Sequence, residues 1–385
     1  MTQRERFLKT AAFNEPDRAF LLAPWWWEQT LERWHNEGLP RDLDYMGIVD
    51  FFNSDCERDL PVLFHSQYGT PYLFPPFDEQ SIEETDIYII KRDAQGNTLK
   101  IFKDDRYHKM PQWLGYPMSN RKDWENVIKP RFIASDPGRF PKKSEWTAIV
   151  ENESTRDYAL GMWCGSFYGW PRGFMGVEAL SYMFYDDPAL IHEMCNYIAD
   201  FWVEILTKVL LEIQLDYAFI WEDMACKTGP LCSPATYREF MADPLKRITS
   251  VLHKHGVHNI IIDSDGNNDI MIPLWLECGI TGLRPFEIAA NSDPVRTRRE
   301  YGKDLIIQGG IDKRALAGTK EDIDREILSK VPWLCIQGGY FPQVDHLTPP
   351  DVSLENYSYY SNLLKAVTED PERYLYESVK RGFWD

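Results

Sequence analysis

Several apolar runs in this chain end in acid. "YAFIWED" (217–223) closes on Glu222 and Asp223, "NIIIDSD" (259–265) on Asp263 and Asp265, "GLRPFE" (282–287) on Glu287, and "GYFPQVDH" (339–346) on Asp345 and His346. "LIIQGGID" (305–312) ends in a Gly309-Gly310 turn and Asp312, and "ALGMWCG" (159–165) is followed by Ser166. Carboxylates that converge in a partly dry cleft repel one another, and each desolvated anion is costly until paired. A cation or a shared proton is therefore expected among them. A single Asp after a strand is as readily the N-cap of the next helix; the repetition at consecutive strands, with a histidine at the last, is what points to a site. A metal ion accounts for the set most economically. Asp, Glu and His are all zinc ligands, whereas an oxygen-only set suits a harder ion such as magnesium.

Such residues converge only if the runs are parallel strands that end on one face. From about Asp157 onward a short apolar strand, a turn rich in Gly or acid, and an amphipathic helix alternate. Helix starts are marked by Pro188 in "DDPAL", by Ser233 and Pro234 in "SPATYREF", and by Thr319 in "GTKEDIDREI". Strand, helix, strand repeated in this way predicts parallel strands joined by right-handed crossovers. The six strands above, with "RAFLLAP" (18–24) and "WTAIV" (146–150), make the eight of a (β/α)8 TIM barrel of the α/β class. The expectation is one domain over residues 1–385 with an N-terminal extension, and with residues 50–145 as a capping insertion that holds a hairpin around Gln95-Gly96-Asn97.

Composition narrows the partners. The net charge of −18 over 385 residues repels phosphate backbones and anionic lipid surfaces, so neither nucleic acid nor membrane is expected. No apolar run is long enough to span a bilayer, and the first residues lack the order of a secretory signal, so a cytoplasmic protein is expected. The seven cysteines are odd in number, scattered and without a C-x-x-C, which predicts free thiols. "LHKHGVH" puts His253, His255 and His258 at a helix end, where a surface role is expected. Fourteen tryptophans predict a large core or an aromatic-lined pocket.

The ordered run "FIWEDMACKTGPLCSPATYREFMADPLKRI", "IIIDSDGN", "GITGLRPFE", "YGKDLIIQGGIDKRAL" and "VDHLTPPDVSLENY" resembles the uroporphyrinogen decarboxylase superfamily over about residues 155 to 365, with a looser likeness at "PDRAFLLAP". The resemblance implies the barrel and one of two chemistries, porphyrinogen decarboxylation or cobalamin-dependent methyl transfer. The decarboxylases carry an Arg-rich N-terminal segment of the form R-Q-A-G-R-Y; "WWWEQTLERW" stands here instead. Thiol-methylating members hold zinc on an H-x-C pair and a late Cys. At those positions this chain resembles them with Asp263, Asp265 and His346, six residues before Val352.

The resemblance therefore implies a divalent metal, zinc by preference, on Asp263, Asp265 and His346 with Glu222 or Asp223 beside them, acting as a Lewis acid on an ether oxygen. Glu222, Asp223 and Asp263 are the candidate catalytic carboxylates. Trp26, Trp27, Trp163, Ser166, Phe167, Tyr168 and Glu287 are the candidate substrate contacts, with Trp25 and Trp170 adding aromatic surface for a methoxyarene. The implied reaction is that of an O-demethylase component, a methyltransferase moving a methyl group from a small methoxylated substrate to Co(I). The chain has no D-x-H-x-x-G of a cobalamin-binding module, so the corrinoid is expected on a separate corrinoid protein. A homodimer remains open. So does a decarboxylase or lyase of a small carboxylic acid, which needs a cation such as Arg172 or Arg284 facing the pocket.

Overall fold

The computed structural model describes residues 1–60, 73–103 and 110–384. Seven parallel strands form one curled sheet: β1 (Glu57–Asp59), β6 (Ala159–Trp163), β7 (Tyr217–Trp221), β10 (Ile260–Asp263), β11 (Gly282–Arg284), β12 (Ile306–Gln308) and β13 (Tyr340–Phe341), hydrogen-bonded in that order. Residues 19–24 take the eighth position without forming a ladder. Asp55 N–H donates to Leu21 O (2.8 Å), Gln343 donates to Ala23 O, and Thr348 N–H donates to Trp25 O (2.9 Å). The (β/α)8 barrel is thereby closed.

Alternation decides what the lumen holds, because successive side chains of a strand point to opposite faces. Phe20, Leu22, Ala159, Tyr217, Phe219, Ile261, Ile306 and Phe341 form one buried cluster inside the barrel. Residues between them on the same strands, such as Leu160, Ala218, Ile220, Ile260 and Ile262, join the outer cluster under the helices. The longest helix, Pro188–Leu210, is capped by Asp187 and buries Leu190, Met194, Ile198, Ile205 and Val209 on one face. At the N-terminal ends of the strands, buried Asp216 meets Arg4 and Arg156 (3.0 Å each), and buried Asp55 meets Arg6 and Arg18 (2.6 Å each).

Two expectations are corrected. "WTAIV" lies in the helix Lys143–Glu153, not in a strand: Glu145 accepts the Lys142 N–H, and Trp146, Ile149 and Val150 fall at helical spacing on the packed face. The missing strand, β1, lies inside the span expected to be an insertion, and pairs Glu57, Arg58 and Asp59 with Ala159, Leu160 and Gly161. The rest of that span does hold the hairpin, as β3 (Tyr88–Arg92) and β4 (Thr98–Phe102), which β2 (Gln80–Glu84) and β5 (Gln112–Gly115) extend to a four-stranded antiparallel sheet. All seven cysteines are free. No helix among the described residues is long and apolar enough to cross a membrane.

Gly161 marks a close approach in the lumen. A Cβ there would stand 1.9 Å from the Tyr217 ring, which is held by hydrogen bonds from its hydroxyl to Arg58 O (3.0 Å) and Asp59 (3.1 Å). Gly161→Ala should therefore lower stability by about 1–3 kcal/mol, read as an earlier midpoint in urea unfolding followed by circular dichroism.

Candidate active site at the carboxyl ends of the strands

Glu222 follows β7 directly and is fully buried. Its carboxylate accepts the N–H groups of Phe167 (3.1 Å), Tyr168 (2.7 Å) and Gly169 (3.3 Å), and the Tyr237 hydroxyl (3.0 Å). Burial raises its pKa, and those hydrogen bonds oppose the rise. Glu222 is thus the fastening of the loop after β6; its lone pairs are occupied, so the expectation of a metal ligand or catalytic acid here is corrected. The same fastening draws the loop inward. Ser166 is buried, with its Oγ accepting the Trp170 N–H (2.8 Å), and Phe167 and Tyr168 are 1% and 0% exposed within the core. These three expected substrate contacts lie beneath the mouth instead of on its wall.

The other acids reach the mouth, and each has found a cation. Asp223, in left-handed backbone (φ 39°), accepts from Arg172 at 2.5 Å, and that guanidinium also lies over the Trp221 ring at 5.3 Å. Asp263 and Arg284 are register partners on β10 and β11, 3.2 Å apart. Burial pushes Asp263 up to about 7, with Arg284 opposing and Asp265 and Asp223 adding to the rise. Asp345, fully buried, accepts the N–H groups of Ile288 (2.9 Å) and Lys313 (3.2 Å) as well as the Lys313 ammonium (3.3 Å). Glu287 accepts the Gly266 N–H (3.1 Å) and lies 3.9 Å from Lys313.

At the rim, Asp265 Oδ2 stands 3.3 Å from His346 Nε2, with the two side chains 37% and 31% exposed. Burial lowers the imidazole pKa, but the Asp265 carboxylate more than offsets it and the net shift is upward. Gly266 places this pair: at φ 80° its backbone lies against the short hairpin of β8 (Ala225–Cys226) and β9 (Gly229–Pro230), where a Cβ would come within 2.7 Å of Ala225.

A metal was expected here. The Asp265–His346 separation matches the edge of a tetrahedron around zinc, about 3.3 Å for bonds of 2.0–2.1 Å, so these two fit as co-ligands. The remaining donors do not. Glu222 is spent on N–H groups and Asp263 faces Arg284. Among the described residues no three His, Cys, Asp or Glu side chains converge on one point. Catalytic zinc takes three protein ligands, so the residues in place do not make that centre.

Of the expected aromatic wall, Trp25, Trp26, Trp27 and Trp163 are half-buried and Trp170 is in the core. Trp26 leans on Trp34 and Tyr45, Trp163 donates its indole N–H to Asp59 (2.9 Å), and Trp25 lies over Arg284 at 4.0 Å. Lys313 and Trp221 were not singled out from the sequence. Arg284 was legible, since it shares a strand face with Gly282, two residues before it.

The family model for uroporphyrinogen decarboxylase (URO-D) matches residues 89–367. Among solved structures, a methyltransferase from Methanosarcina mazei has a similar fold, with a TM-score of 0.63 at 14% identity over 95% of this chain and 99% of that one. No curated protein matches.

Two outcomes test this geometry. Replacing Glu222 with Ala leaves buried N–H groups without acceptors, and should cost about 2–4 kcal/mol of stability by denaturant unfolding. For the rim pair, a raised folded-state pKa means that its stabilisation is present below the unfolded value of 6.5 and is lost as pH rises through the folded one. Asp265→Asn should therefore shift the His346 titration to lower pH in an NMR experiment and abolish that loss.

Proposed function

The chain belongs to the uroporphyrinogen decarboxylase family, and we propose that it is a methyltransferase of that family, taking a methyl group from a small methoxylated aromatic and passing it to Co(I) of a corrinoid on a separate protein. The observation that carries this reading is the Asp265–His346 pair, half-exposed at the rim of the barrel mouth. A proton donor in that position stands where the oxygen of an ether can meet it while the attached methyl faces outward. The named methyltransferase with a like fold points the same way.

An ether methyl departs only if its oxygen is stabilised as the C–O bond breaks. Asp265 accepts from Nε2 of His346, which orients the ring and favours its protonated form, leaving Nδ1–H for the substrate oxygen. The oxygen keeps the bonding pair and takes the proton, so the product is a phenol. The corrinoid supplies the nucleophile that receives the methyl. Trp25 and Trp27 offer aromatic faces for the ring.

A second reading is decarboxylation of a small acid without any corrinoid, and one observation favours it: Arg284, a buried cation, stands at the top of the lumen. The two separate by experiment. Mixed with a methoxyarene and a reduced corrinoid protein, the enzyme should convert Co(I) to methyl-Co(III), seen as a spectral change, and release a phenol. His346→Gln should slow that step by about 10²–10⁴-fold with substrate binding retained. Carbon dioxide released by the purified chain alone, with no corrinoid present, would overturn methyl transfer and establish the decarboxylase.

A further inference from the structure

Below the rim, the floor of the mouth carries polar atoms that nothing satisfies. Arg284 is 2% exposed, and one of its terminal nitrogens, Nη2, has no hydrogen-bond partner among the described residues. Oε2 of Glu57 and Oε1 of Gln308 are likewise buried without a partner. Glu57 and Arg284 interact electrostatically across the lumen, and the register places Gln308 beside Arg284. Glu57 pairs with lumen-facing Ala159, Arg284 pairs with Asp263, and Gln308 lies one step beyond the Leu283–Ile307 pair. Buried polar atoms of this kind cost about 1–3 kcal/mol each when left unpaired, so the arrangement calls for an occupant.

We propose that this floor is a carboxylate subsite, in which Arg284 and Glu57 hold the acid group of an aromatic carboxylate while its methoxy end points out to the rim. The guanidinium explains the choice of ligand. Trp25 and Phe219 lie against it at 4.0 Å and 4.7 Å, and Asp263 Oδ2 stands 3.2 Å from Nε as an ion pair without a hydrogen bond. Nη2 is left without a partner, and the edge of a guanidinium is the part that matches a carboxylate. Burial pushes the Glu57 carboxyl up to about 8, with Arg284 opposing, so it carries its proton near neutrality and is a second donor. Two donors and a fixed positive charge suit an anionic acceptor.

The orientation of the ligand rests on the methyl-transfer reading above. Asp265 and His346 come after Asp263 in the chain direction of the strands, nearer to solvent, and a methyl group destined for another protein must leave from that side.

Calorimetric titration of the wild-type chain with 4-methoxybenzoate and with its neutral methyl ester is the test. The acid should bind at least about tenfold more tightly than the ester, a difference that Arg284→Gln should erase and Arg284→Lys keep in part. Equal binding of acid and ester, or unchanged acid affinity in Arg284→Gln, would overturn the subsite and leave ordered water as its occupant. Should Arg284→Gln fail to fold, Glu57→Leu and the two-ligand comparison on the wild type still decide. Acid-selective binding with no methyl transfer to a corrinoid protein would keep the subsite and overturn the reaction; methyl transfer with equal affinities for acid and ester would do the reverse.

Discussion

Carboxylates gathered at one end of a barrel and cut off from water must be paired, and at this mouth the pairing organises the loops. Glu222 collects the N–H groups of residues 167–169 and so ties the loop after β6 to the end of β7. Asp345, after β13, takes N–H groups from Ile288 and Lys313, which follow β11 and β12. Asp265 reaches His346 across from β10 to the segment after β13. Loops that carry function are usually the least constrained part of a fold. Here the buried negative charge constrains them, since releasing any of them would leave an anion without a partner.

The two ends of the barrel solve the same electrostatic problem differently. At the N-terminal ends of the strands, Asp55 and Asp216 are each gripped by two arginines, and those bonds tie the first helix and the segment before β1 to the barrel. At the mouth the pairings are single, and buried donors and acceptors remain over. Two arginines on each acid suit a structural end. Incomplete pairing is what a ligand can finish, and chemistry at the carboxyl ends of the strands is the general rule for this architecture.

Depth then divides the mouth by chemistry. Arg284 lies under Trp25 with Nη2 unpartnered, which suits it to recognition. His346 is more exposed and is held by a carboxylate that raises its pKa, which suits it to proton transfer. Arg172, Arg284 and Lys313 supply the positive charge that converging carboxylates require.

What the sequence by itself determined was the barrel, because period-2 strands, capped helices and acid-terminated runs are local signals. Pro188, Ser233 and Thr319 start helices where expected, Asp263 ends β10, and Asp265 and His346 lie in the segments that follow β10 and β13. Local signals failed where a segment's role depends on what lies across the barrel. "WTAIV" carries β-branched residues but becomes a helix because Trp146, Ile149 and Val150 have a face to pack, and short polar β1 is a strand only because β6 offers it a partner. Only the tertiary structure decided which acids were spent and which were free. Glu222 and Asp265 are the same kind of residue in the same kind of place, yet one meets backbone N–H groups in a dry core and the other an imidazole at the rim. A side chain's type sets the bonds it can make. Its surroundings, assembled from distant parts of the chain, set the bonds it has left.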